Sequence, residues 1–182
     1  CMEGKSGATF KFATHRVDGD WSQVFGIKGS TDEDVAFEAN NDQKWTIPAD
    51  GYYYITVNRL TKKMSFASSA TVTIGASGYA TYCIGAPIDF SSVSGLTAYI
   101  ASEAKDGTVT MTPVKTASAN TGLLLKGAAN TTYTLPFCAD DNIAKTNLLV
   151  GVTEVTAIEV TSNGNTNYIF ANGASGVGFY PA

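Results

Sequence analysis

The chain is poor in the residues that most often do chemistry. Its 182 residues hold one histidine, two tryptophans and three cysteines, and 15% of them are charged, against roughly 25% in an average globular domain. One imidazole, His15, excludes a histidine-built metal centre, and no Gly-x-Ser-x-Gly elbow accompanies it to suggest a nucleophilic serine. His15 therefore reads as a strand-end surface residue. Two arginines, Arg16 and Arg59, and a net charge of −4 exclude a binder of phosphate backbones, which needs clustered cations. The basic run Arg59-Leu60-Thr61-Lys62-Lys63 is short enough to be a solvated edge or turn. No 18 apolar residues run together, so no membrane-spanning helix is encoded. No signal peptide is legible. Cys1 is where a processed bacterial lipoprotein begins, and it equally fits a cut within a longer protein or a core cysteine.

The remaining chemical candidates are thin. Cys1, Cys83 and Cys138 are odd in number, so at least one thiol is left over. Cys83 and Cys138 sit among apolar neighbours and read as small buried hydrophobes or as a pair. Asp18, Asp20, Asp32, Glu33 and Asp34 lie in loops, where carboxylates are usually solvated, rather than as a pair facing across a cleft. Asp140-Asp141-Asn142 lacks the spacing of a calcium loop. The glycines of the Gly-Ala-Ser-Gly phrases at 75–78 and 173–176 do not form a phosphate loop, because no Gly-Lys-Ser/Thr follows them. No enzyme, cofactor or metal is expected.

What the chain does have is strand material: 44% apolar residues, nine Tyr and nine Phe, with abundant Thr and Val. The fold class is all-β, as two β-sandwich-like modules, residues 1–67 and 68–182. Both Trp, both Arg and the His lie in the first, and the small-residue stretch 66–70 suits a connector. In the first module, Thr9 to Ala13, Val24 to Ile27, Val35 to Glu38, Lys44 to Ile47, Tyr52 to Val57 and Lys63 to Phe66 read as strands. The last two form a hairpin, and Tyr53, Ile55 and Val57 face away from Tyr52, Tyr54 and Thr56. In the second, Val72 to Ile74, Tyr79 to Ile84, Leu96 to Ala104, Thr108 to Val114, Gly122 to Lys126, Thr132 to Leu135, Leu148 to Val152, Val155 to Val160, Tyr168 to Phe170 and Gly176 to Tyr180 do the same. Asp106-Gly107 and Asn163-Gly164 mark two hairpin turns. Gly-Ala-Ser-Gly occurs at 75–78 and 173–176 and reads as two similar turns, not as a repeat.

The functional candidates are aromatic. Trp21 follows the polar turn Val17-Asp18-Gly19-Asp20; a flat indole there can stack on a pyranose ring or fold inward and plug the end of a sandwich. Trp45 lies in a strand beside Asn40-Asn41-Asp42-Gln43, whose amides can bond sugar hydroxyls; it is either a ligand contact or core. Arg16 and Lys28 are the cations nearest Trp21 in sequence, and act either as donors beside a sugar or as solvated surface charges.

The run from Ala8-Thr9-Phe10-Lys11-Phe12 through Trp21 and Phe25-Gly26 to Ile47-Pro48-Ala49-Asp50-Gly51-Tyr52-Tyr53-Tyr54-Ile55-Thr56-Val57 resembles the back half of the SusE/SusF-type starch-binding lipoprotein domains of Bacteroidota. The same Phe-Lys-Phe and Trp phrase is similar to glycogen-binding modules of the E-set kind. The resemblance implies an immunoglobulin-like sandwich, incomplete here, with aromatic platforms for α-glucans. It also implies a lipid anchor at Cys1 and membership of an outer-membrane glycan-uptake complex. Residues 71–182 are similar to an accessory all-β module of Bacteroidota surface proteins. The phrases that carry this are Thr73-Ile74-Gly75-Ala76-Ser77-Gly78-Tyr79-Ala80-Thr81-Tyr82-Cys83, Leu96-Thr97-Ala98-Tyr99-Ile100-Ala101, Thr121-Gly122-Leu123-Leu124-Leu125-Lys126-Gly127 and Gly176-Val177-Gly178-Phe179-Tyr180. That likeness implies a surface or secreted location and no particular ligand. The expected function is non-catalytic polysaccharide binding at the cell surface, with a structural or adhesion module as the alternative and a hydrolase third.

Overall fold

The computed structural model describes residues 1–13, 24–27, 35–39, 44–58, 60–61, 63–140 and 146–182. The fold is all-β, with no helix among the described residues. The chain forms two compact units: residues 1–70 with 136–139, and residues 71–135 with 140–182.

The first unit is built on β1 (Met2–Gly4), β2 (Thr9–Phe10), β3 (Phe12–Ala13), β4 (Val24–Ile27), β5 (Val35–Ala39), β6 (Trp45–Thr46), β7 (Gly51–Asn58) and β8 (Lys63–Ala67). Six of them form an antiparallel sheet in the order β1-β7-β8-β5-β4-β3, and β2 pairs with β6 apart from it. The period of two in β7 sorts its side chains by face. Tyr53 is buried and Ile55 packs beneath it, joined by Met64 and Phe66 of β8. The β2–β6 pair covers this face with Phe10, Trp45 and Ile47, making two layers around one core. Each fully buried side chain of this size stabilises by roughly 1.5–3 kcal/mol. Packing is close enough that Gly4 admits no side chain: a Cβ there would lie 2.9 Å from Ile47 Cγ2. The expected strand Thr9 to Ala13 is present but divided at Lys11, so that Phe10 pairs with Trp45 and Phe12 with Phe25. Residues 136–139 return to this unit. There the Phe137 N–H donates to the Ser68 carbonyl at 2.9 Å, and the Phe137 ring meets Tyr54 edge-on, centroids 6.0 Å apart.

The second unit contains β9 (Ser69–Thr73), which enters it from the first, then β10 (Tyr79–Tyr82), β11 (Ile88–Asp89), β12 (Thr97–Lys105), β13 (Thr108–Val114), β14 (Thr116–Ala117), β15 (Leu123–Lys126) and β16 (Thr132–Pro136). The later strands are β17 (Thr161–Ser162), β18 (Asn165–Thr166), β19 (Tyr168–Gly173) and β20 (Gly176–Pro181). Its main sheet runs β10-β15-β12-β13. Leu123, Leu124 and Leu125 of the inner strand β15 are all buried, the pattern of a strand covered on both faces. Both expected hairpin turns are present: Asp106 and Gly107 sit at φ 51° and 74°, Asn163 and Gly164 at 50° and 78°. Two successive left-handed residues are what a type I′ turn requires, and Asn/Asp followed by Gly supplies them. The two Gly-Ala-Ser-Gly phrases are both turns whose last glycine has positive φ, 80° at Gly78 and 97° at Gly176.

The expected strands Leu148 to Val152 and Val155 to Val160 do not form. Their alternation is real, but in place of a continuous ladder the first is held by one backbone bond, from the Leu148 N–H to the Ala101 carbonyl at 2.8 Å, and by the Asn147 side chain. Asn147 Oδ1 accepts from the Ala101 and Leu149 N–H groups at 3.1 and 3.0 Å, and Asn147 Nδ2 donates to the Gly122 carbonyl at 2.9 Å. Gly151 then lies so close to the 120–122 backbone that a Cβ would sit 2.6 Å from Cys83 Sγ. Leu148, Val150, Val152, Val155, Ile158 and Val160 are left exposed, Val155 fully so.

Candidate functional site

Trp21, Arg16 and Lys28 lie outside the described residues, as do His15, Asp18, Asp20, Asp32, Glu33, Asp34 and the Asn40 to Gln43 cluster. Trp45 is described, and the structure gives it the core role in place of the platform role. It is 1% exposed. Its indole stacks on Phe10 at 5.7 Å and 24° and meets Phe12 edge-on at 5.7 Å. Both contacts follow from pairing β2 against β6, which sets Phe10 directly opposite Trp45. No indole face remains for a sugar to stack on. Trp45 Nε1 is buried with no hydrogen-bond partner among the described residues, a donor whose desolvation is uncompensated there.

Among the described residues of this unit, Tyr52 and Tyr54 are aromatic side chains turned away from the core. They stand two residues apart on β7, about 6.8 Å along the strand, and both are half-buried. Thr56 continues the row, and its Oγ1 lies 2.7 Å from Ser65 Oγ on the neighbouring strand. Phe137 closes the row at Tyr54. Glu3, paired with Tyr52 across β1 and β7, brings a carboxylate to the other end. The surface is thus two phenol rings in line, a hydroxyl pair and one acid. Such a strip can present ring faces and donor–acceptor hydroxyls to a flat polar ligand.

Charges at the start of β7 are tied to one another. Lys5 Nζ lies 3.2 Å from Glu3 and 3.6 Å from Asp50. The Ser6 N–H donates to Asp50 Oδ1 at 2.8 Å, and this bond first, then Lys5, holds the Asp50 carboxyl below its ordinary range. The hydrogen bond that Lys5 donates to Glu3, together with the nearby Asp50 and Glu3 charges, raises the Lys5 pKa. All three groups are exposed, so the trio fixes the β1–β2 turn more than it stabilises the fold.

The second unit carries another aromatic set. Phe170 and Phe179 face each other across the β19–β20 hairpin at 5.2 Å, Tyr79 packs on Phe170 at 5.6 Å, and Lys126 Nζ lies 5.7 Å from the Tyr79 ring centroid. These contacts dock the hairpin on β10. Neither Cys83 nor Cys138 is in a disulfide, and each is half-buried. Burial pushes the Cys83 thiol up, which keeps it protonated and a poor nucleophile. Among the described residues no group of three or more His, Cys, Asp or Glu could hold a metal ion.

The Tyr52–Tyr54–Thr56 row was legible as one face of an alternating strand. Its neighbours Ser65 and Phe137 were not: Ser65 is placed by the β7–β8 register, and Phe137 arrives from more than eighty residues downstream in sequence. No protein-family model, curated protein or solved structure matches the chain.

Proposed function

We propose that the chain is a non-catalytic carbohydrate-binding protein that grips polysaccharide of the α-glucan type through its first unit, at the bacterial cell surface or after secretion. The observation that carries the reading is the in-line pair Tyr52 and Tyr54, outward on the sheet whose other face is the core. Aromatic rings stack on the apolar faces of pyranoses, and the adjoining Thr56 and Ser65 hydroxyls add donors and acceptors. Trp21, Arg16 and Lys28 belong to the same proposal as a loop contribution. The likeness to SusE/SusF-type domains supports the ligand class, an immunoglobulin-like first module, a lipid anchor at Cys1 and a place in an outer-membrane glycan-uptake complex.

Affinity electrophoresis through gels containing starch, glycogen or unrelated polysaccharides tests it. Retardation by α-glucan is expected, and the Tyr52→Ala/Tyr54→Ala double variant should lose most of it while unfolding at the same denaturant concentration. A folded chain retarded by none of these glycans sinks the proposal. Retardation lost with Trp21→Ala but untouched in the double tyrosine variant moves the site to Trp21 and its sequence neighbours.

A second reading, a structural or adhesion module, is favoured by one observation: Leu148, Val150, Val152, Val155, Ile158 and Val160 of the second unit are all exposed, and assembly faces carry exposed apolar side chains.

A further inference from the structure

We propose that Asn163 is a site of spontaneous deamidation, and that the fold selects it over the chain's second Asn-Gly dipeptide, Asn172-Gly173. The chemistry needs only water. The Gly164 amide nitrogen attacks Asn163 Cγ, the bond from Cγ to the carboxamide nitrogen breaks, and ammonia leaves carrying the amide proton. The product is a five-membered succinimide. Water then adds to one of its two carbonyls, giving aspartate or isoaspartate, whose new carboxyl ionises at neutral pH. Glycine on the C-terminal side removes the steric barrier to ring closure. At Gly164 the space is open, with no atom within 4 Å of where a Cβ would stand.

The two dipeptides differ in what holds them. Asn163 and Gly164 form the whole connection of β17–β18, a ladder of two residue pairs, Thr161 with Thr166 and Ser162 with Asn165. Every residue from 161 to 166 is exposed. A type I′ turn holds the attacking nitrogen away from Cγ, so reaction requires the turn to open. A two-pair ribbon with no buried face, closed at its base by the Asn167 N–H to the Val160 carbonyl at 2.8 Å, opens at less cost than a longer ladder. Asn172-Gly173 lies in the six-pair β19–β20 ladder. There the Tyr180 ring covers Gly173, 2.5 Å from where its Cβ would be, and the Tyr180 hydroxyl is tied to the Gly176 carbonyl at 2.6 Å. Phe170 and Phe179 anchor the same hairpin. Opening it breaks more pairs and exposes aromatic surface.

The molecule also indicates what each product does. Asp106-Gly107 already makes the same turn with aspartate, at φ 51° and 74° against 50° and 78° for Asn163-Gly164. Aspartate at 163 therefore keeps the hairpin and adds one negative charge to the surface. Isoaspartate lengthens the backbone by one methylene and cannot close a two-residue turn.

The test is incubation of the whole chain in mildly alkaline buffer, followed by peptide mapping with mass spectrometry that separates aspartate from isoaspartate. In the folded chain, conversion at Asn163 should exceed that at Asn172 at least tenfold, about 1.4 kcal/mol of extra opening free energy. In urea the two should convert within about twofold of each other, because the local ladders are gone. The Asn163→Asp variant should keep the amide resonances of residues outside 161–166 unchanged. A folded chain converting Asn172 as fast as Asn163 overturns the proposal. So does a folded chain that leaves Asn163 intact while the unfolded chain converts it.

Discussion

Replacing Trp45 separates its packing from its unmade hydrogen bond. The ring is 1% exposed and sits between Phe10 and Phe12, while its Nε1 has no partner among the described residues. Trp45→Ala removes the whole side chain and leaves a cavity, which costs about 3–5 kcal/mol. Trp45→Phe is subtler. It buries about 40 Å² less aromatic surface, worth roughly 1 kcal/mol at ~25 cal/mol/Å², with a small residual cavity in addition. Against that, it removes a buried donor whose desolvation costs about 1–3 kcal/mol. The terms nearly cancel, so Trp45→Phe should lie within about 1 kcal/mol of the parent. Urea unfolding followed by far-UV circular dichroism reads the difference. At about 2 kcal/mol/M the alanine variant shifts the midpoint of the first unit by roughly 2 M, the phenylalanine variant by under about 0.5 M. If both variants fall equally far, the indole N–H is satisfied or the indole shape is irreplaceable, and the cancellation argument is wrong. If Trp45→Ala shifts the midpoint by under about 0.5 M, Trp45 is not a core residue. Because Trp45→Phe leaves the Tyr52–Tyr54 face intact, it should also retain retardation by glycan; loss in a stable variant would return Trp45 to the binding site.

Gly151→Ala sets a Cβ against the Asn120 carbonyl, Cys83 Sγ and the Gly122 nitrogen; about 1–3 kcal/mol of destabilisation is expected in the same unfolding assay, and a neutral result would mean residues 147–152 do not lie on this backbone. Asn147→Ala strands the N–H of buried Ala101 and the Gly122 carbonyl; a loss of about 1–3 kcal/mol is expected, with faster hydrogen exchange at Ala101 and Leu149. Asp50 has a folded pKa below its unfolded value, so its contribution is present above the unfolded pKa and is lost as pH falls through the folded one, below about pH 4. A carboxyl titration by NMR should place the Asp50 midpoint below the ordinary value of an aspartate, and Ser6→Pro, which deletes the donating N–H, should move it up.

Short-range signals carried most of the fold. Thr108 to Val114 was legible to the residue because Asp106-Gly107 fixes the turn and alternation fixes the face. Tyr52 to Val57 was legible because its aromatic and β-branched residues suit a pleated, half-covered surface. Lys11 broke one expected strand into two, since Phe10 and Phe12 take different partners, and nothing local in Thr9 to Ala13 records a change of partner. Leu148 to Val160 failed for a related reason. Alternation shows that a segment is extended, but a strand also needs a ladder partner, and there the bonds are isolated ones: the Leu148 N–H to the Ala101 carbonyl, the Leu149 N–H to Asn147 Oδ1, and Asn167 to the Glu159 and Val160 carbonyls.

Trp45 shows why aromatic residues in strands are poor guides to ligands when read singly. In β7 the face is decided by parity: Tyr53 falls with the core, so Tyr52 and Tyr54 must point away from it. Trp45 lies in a strand of two residues, too short for alternation to assign a face. What decides it is the pairing with β2, which sets Phe10 opposite and brings Phe12 in beside it. A ring so placed is worth more to the fold buried than exposed, by roughly the 3 kcal/mol or more that its truncation costs. The same reasoning favours Tyr52 and Tyr54 as ligand contacts. Their cross-strand partners, Glu3 at Tyr52 and Ala67 at Tyr54, are a carboxylate and a methyl, and with Phe137 edge-on against Tyr54 both tyrosines are still only half-buried.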